Sequence, residues 1–182
     1  MRRRVAVIAT ACALAATGLA GPALADGRGA VVEHGTLIEL NDSGVAGTVT
    51  IVGRGDSIRV NLSASGLEAG QLHMQHIHGV GDGNQATCPD MSLAGDDGIL
   101  TIGEGLPAYG PVKVTLGRDM VAGSDLGYSR TFNATDAGAT LDTLGELTQY
   151  VVVVHGLTVE GAYVASLPVA CAVLEVNGRA GS

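Results

Sequence analysis

Gly66-Leu-Glu-Ala-Gly-Gln-Leu-His-Met-Gln-His-Ile-His-Gly79 holds three of the chain's five histidines, His73, His76 and His78. Read as a strand, its side chains alternate between two faces. His76 and His78 then share a face, and His73, three residues before His76, takes the other. A His-x-His pair on a strand is more often surface or hydrogen-bonded core than ligand. Here, though, a histidine-poor chain concentrates the residue in one place. Two imidazoles side by side make half a metal site, and the other half must come from elsewhere. His155 stands in a comparable context. It closes Tyr150-Val-Val-Val-Val-His155, the most β-prone run of the chain, whose unbroken valines predict burial on both faces. His34 reads as a solvated residue ahead of the first strand.

Outward from this stretch the pattern is that of short strands between Gly-rich turns. Alternation predicts strands at Gly35–Asn41, Val45–Val52 and Ser57–Ser65, the last with Ile58, Val60, Leu62 and Ala64 on one face. After the histidine strand, Gln71–Gly79, further strands are predicted at Val112–Leu116, Tyr128–Asn133, Gln149–His155, Ala162–Leu167 and Ala170–Glu175. The spacing argues an all-β, antiparallel sandwich or barrel. Val80–Pro111 reads as a long Gly- and Asp-rich loop, and such loops are usually functional or stapled. Asp136–Glu146 reads as loop or a short helix, and the tail from Val176 as frayed. Asp97 and Glu104 fit the second half of a calcium loop, but its first ligand positions fall on Leu93 and Gly95, which cannot coordinate.

The first 25 residues have the form of a secretion signal: Arg2, Arg3 and Arg4, then the apolar Val5–Ala20, then Ala23-Leu-Ala25 before Asp26. Residues 26–182 then form one domain. Without the three arginines the formal net charge moves from −8 to −11. Such a surface repels nucleic acid and anionic membrane. Tryptophan is absent and Phe132 is the one phenylalanine, so no aromatic platform for bases or sugars exists. No span crosses a membrane, because the leader's apolar run is short and broken by Gly18, Gly21 and Pro22. Cys12 leaves with the leader. Cys88 and Cys171 remain, an even pair in an exported chain, and are read as one disulfide.

In order and spacing these pieces resemble the copper/zinc superoxide dismutase family. The shared features are Gly66-Leu67 with Gly70, then His73, His76 and His78, then Cys88, Val153-Val154-His155 and Ala170-Cys171-Ala-Val-Leu174. They span most of residues 26–182. The resemblance implies an eight-stranded antiparallel Greek-key barrel. It implies that His76, His78 and His155 are copper ligands and so the catalytic residues. It makes His73 a structural histidine and Cys88–Cys171 the family disulfide. The departures are equally specific. No histidine lies between His78 and His155, so the family's zinc site and its metal-bridging histidine have no counterpart. Copper is therefore the expected cofactor, and zinc is not; Cu²⁺ also leads the divalent first-row metals at nitrogen sites. The family's anion-attracting arginine falls at Pro168, and the segment from His155 to Cys171 is short. The histidine motif and Ala108-Tyr-Gly-Pro111 also look like bacterial secreted chordin-type (CHRD) domains.

Two functions are consistent with this reading. One is an exported copper-only superoxide dismutase, with superoxide or another small oxidant as its partner. The other is a non-catalytic copper-binding or cell-envelope module on the same barrel, since fold alone does not decide function.

Overall fold

The computed structural model describes residues 31–54, 57–81, 83–133 and 147–176. The stretch read as a leader, Asp136–Glu146 and the tail beyond Val176 lie outside the described residues. Eight strands form the body: β1 (Val31–Glu39), β2 (Ala46–Arg54), β3 (Ser57–Ser65), β4 (Leu72–His78), β5 (Val112–Met120), β6 (Leu126–Asn133), β7 (Val151–Val159) and β8 (Ala162–Val173). A two-residue β9 (Glu175–Val176) adds to β1. The spatial order is β5-β4-β7-β8-β1-β2-β3-β6, all pairs antiparallel. The chain leaves its neighbour at β3→β4 and again at β6→β7, the crossovers of a Greek-key barrel. No described helix is long and apolar enough to cross a membrane.

The barrel is nearly closed. β5 and β6 are the two ends of the pairing path. Between them Arg130 of β6 donates to both oxygens of Asp119 of β5, at 2.9 and 2.6 Å. The guanidinium also lies 4.1 Å over the Tyr128 ring. Side chains thus span the seam where no backbone ladder does.

Alternation explains the interior. On β3, Ile58, Val60, Leu62 and Ala64 are buried while the residues between them face out. They meet Val49 and Ile51 of β2, Ile77 of β4, Val114 and Leu116 of β5, and Val152 and Val154 of β7 in the main core. Val151 and Val153 point the other way and are equally buried. They join Leu40, Ala86, Leu100, Tyr109 and Cys171 in a second core, between the outer face of the sheet and the 80–111 segment. That segment covers the face that carries His76, His78 and His155. The Cys88–Cys171 disulfide, with Cα atoms 5.6 Å apart, ties it to β8.

Three readings are corrected: that of the 80–111 loop, that of the first strand and His34, and the division of the last strand. The 80–111 segment is not all loop: α1 (Ile102–Tyr109) lies within it. Thr101 and Glu104 form a capping box at its start, each bonding to the other's backbone N–H. Glu104 is taken up by this cap and Asp97 by the backbone of Ile99, so neither is placed for calcium. β1 begins at Val31, and His34 lies on it, half-buried, with Nδ1 2.9 Å from Thr50 Oγ1. The two last predicted strands are one, β8, running through Pro168. The missing N–H of Pro168 falls beside a bulge, where the β7–β8 register shifts on both sides of His155.

Candidate metal centre

β4 and β7 are paired, and their register brings the distant histidines together. His155 lies opposite Met74, and His76 opposite Val153. Residues directly opposite share a face, so His155, Met74, His76 and His78 all project from the outer side of the barrel. The ring centroids of His76, His78 and His155 are 5.2 to 5.6 Å apart. One nitrogen from each ring lies within 4.8 Å of the others. Among the described residues this is the one group of three or more His, Cys, Asp or Glu that converges in this way. Metal–imidazole bonds of about 2.0–2.1 Å put opposed ligand nitrogens about 4 Å apart, so the rings need close by only about an ångström to share an ion.

The hydrogen bonding specifies which atoms face inward. His78 Nδ1 donates to the Gly110 carbonyl at 2.8 Å, and His155 Nδ1 to the Ser166 carbonyl at 3.0 Å. Each bond fixes a tautomer and leaves the lone pair on Nε2. His78 Nε2, His155 Nε2 and His76 Nδ1 are buried and have no hydrogen-bond partner. A buried polar atom without a partner costs free energy, about 1–3 kcal/mol each. Three converging rings, each with such an atom, fit a metal ion.

All three rings are held neutral. Burial, then His78, then Arg118, pull the His76 pKa down to about 4. Burial lowers that of His78, opposed by the Gly110 carbonyl. Burial carries His155 down to about 3, opposed by the Ser166 carbonyl and aided by His76 and His78. Neutral imidazole is the form that binds metal, so no proton need be displaced at neutral pH.

His73 lies apart from the trio. It is fully buried on the other face of β4, with Nδ1 3.1 Å from the His155 carbonyl and Nε2 3.1 Å from that of Glu68. It ties β4 to β7 and to the turn before β4. Its ring meets Tyr163 edge-on, and the Tyr163 hydroxyl donates to the Leu72 carbonyl.

Several contributors were not read from the sequence. Tyr109 of α1 is fully buried and its ring packs edge-on to His78, centroids 4.7 Å apart. Gly110, the next residue, supplies the carbonyl for His78. The tetrapeptide Ala108-Tyr-Gly-Pro111 was the available signal, but nothing in it says which ring it will touch. Pro168 lies opposite His155, so the position of the expected arginine is at the site and carries no charge.

No family model and no curated protein matches the sequence. Among solved structures the chain is similar to variants of superoxide dismutase 5 from Candida albicans. One aligns at 13% identity with a TM-score of 0.42, covering 84% of this chain and 96% of that one. A second aligns at 11% identity with a TM-score of 0.43, covering 85% and 95%.

Proposed function

We propose that this is an exported superoxide-dismutase-like protein that holds one copper ion on His76 Nδ1, His78 Nε2 and His155 Nε2 and dismutes superoxide. The observation that carries the reading is the convergence of three rings, each with a buried, unpartnered nitrogen. Two of the rings are already locked in the ligating tautomer by the Gly110 and Ser166 carbonyls. Imidazole nitrogens suit copper, and Cu²⁺ outranks Zn²⁺ at such sites. The histidine-free stretch from Gly79 to Val154 offers no second metal a nitrogen set. Bound copper supplies one-electron exchange. Two superoxide anions and two protons then become dioxygen and hydrogen peroxide, with water as the source of protons. The rings fix the ligand geometry, the 80–111 segment walls one side, and half-buried His76 faces the way in. His73 holds β4 against β7 and takes no part in ligation. A disulfide and a leader-like N-terminus are both compatible with an extracellular or cell-envelope location.

The test is copper titration, then a superoxide assay on protein stripped of loosely bound metal. The reading expects about one copper per chain, no second tight site for zinc, and dismutation above the free-copper background. A second reading, a non-catalytic copper-binding or CHRD-type module, is favoured by Pro168 standing where an anion-attracting cation is expected. Protein that keeps its copper and shows only background dismutation would establish it.

A further inference from the structure

The residue row that crosses the site runs over four strands. Arg118 of β5 is opposite Met74 of β4, Met74 is opposite His155 of β7, and His155 is opposite Pro168 of β8. Directly opposed residues project from the same face, so Arg118 lies on the metal face of the sheet. Neighbouring strands are about 4.8 Å apart, which places its Cα roughly 10 Å from that of His155, within the span of an extended arginine side chain and a small ligand.

Arg118 is also uncommitted. It is exposed, and no carboxylate among the described residues pairs with it. The adjacent Asp119 faces the interior and is taken by Arg130. The other described cations are Arg54, Arg59, Lys113 and Arg130, in a chain of formal charge −8. Arg54 and Arg59 lie on β2 and β3, opposite Ser57 and Val52, on strands that do not pair with β4 or β7.

We propose that Arg118 recruits small monoanions to the open side of His76, from the β5 edge and not from β8. This rests on the copper reading and deepens it: the substrate is a small anion, and the cation beside the metal comes from a different strand than the resemblance implies. A full positive charge on the face that carries the histidines raises local anion concentration in a site walled by apolar side chains, and salt screens the effect over about 10 Å at 0.1 M ionic strength.

The experiment uses azide as the probe. Copper(II)-loaded wild type, Arg118→Gln and Arg118→Lys are titrated with azide at low ionic strength and at 1 M salt (roughly a 3 Å screening length), following the azide-to-copper absorption band. The proposal expects the azide dissociation constant of Arg118→Gln to rise at least about threefold at low salt, as Coulomb's law gives for a charge at this range in an intermediate dielectric. Arg118→Lys should stay near wild type, and the difference should vanish in high salt. Equal affinities for all three proteins with copper bound overturn this inference alone. A loss shared by Arg118→Lys that persists in high salt also overturns it, because the residue would then act through structure. Failure of wild type to take up copper overturns the metal reading and this inference with it.

Discussion

Acid should unfold the metal-free protein earlier than its carboxylates require, and the histidine trio should be the reason. In the folded chain the His155 ring has a pKa of about 3; in the unfolded chain it returns to the ordinary 6.5. The folded state therefore binds fewer protons throughout that window. Stability is complete above pH 6.5, falls as pH drops, and the loss ends only below about pH 3. Each pH unit inside the window costs about 1.36 kcal/mol. Between pH 7 and pH 5 the unfolded ring becomes almost fully charged while the folded one stays neutral, so His155 alone removes about 2 kcal/mol. The figure at pH 5 depends little on how far below 5 the folded value lies. His76, more open to water, adds a smaller amount of the same sign.

Urea unfolding in the presence of a chelator checks this. With a slope of about 2 kcal/mol/M, a loss of about 2 kcal/mol moves the midpoint down by about 1 M between pH 7 and pH 5. His155→Gln cannot titrate. Its midpoint should fall distinctly less over the same interval. If wild type and His155→Gln lose the same stability, the ring is not held neutral in the fold and the reasoning is wrong.

Other outcomes follow from the same contacts. His76→Ala and His155→Ala should each abolish tight copper binding in an equilibrium titration, because neither strand alone completes the ligand set. His73→Ala should instead lower thermal stability and leave the copper stoichiometry near one; the reverse pattern would exchange the roles. Peptide mapping without reductant should recover a Cys88–Cys171 linkage. Its reduction should cost about 4.5 kcal/mol on the chain-entropy account for a separation of 83 residues, and unchanged denaturant stability after reduction would contradict that account. Asp119→Asn should cost about 1 kcal/mol by weakening the partly exposed seam between β5 and β6, read as a shift in urea midpoint without loss of copper.

How far the sequence reveals this molecule depends on whether a feature is periodic. β3 was readable residue by residue, because one of its faces is core and the other water, and its predicted bounds match the structure. β7 was readable from its valines, which fill two cores at once. The separation of His73 from His76 and His78 was likewise pure parity, and it survives a register shift in the β4–β5 ladder at Gln75/His76, since the β4–β7 pairing stays regular. Arg118 was invisible because its place at the site comes from cross-strand register, which no local pattern encodes.

The helix α1 shows the same limit from the other side. Its residues Ile-Gly-Glu-Gly-Leu-Pro-Ala-Tyr include two glycines and a proline, each a poor helix former. Only Thr101-x-x-Glu104 marked its start. Yet a Cβ at Gly105 would come within 2.5 Å of the Tyr109 ring, so the glycine that weakens the helix is what lets that ring fold back against its own turn. Tyr109 then lies against His78, and Gly110, with φ of 75°, ends the helix with its carbonyl toward His78 Nδ1. A side chain at Gly110 would strike the backbone of Gly79, the residue after His78. The residues that hide the helix from a propensity reading are therefore the ones that bring its end onto His78. Local stability is given up there for contacts that exist only once β4, the 80–111 segment and the disulfide have come together.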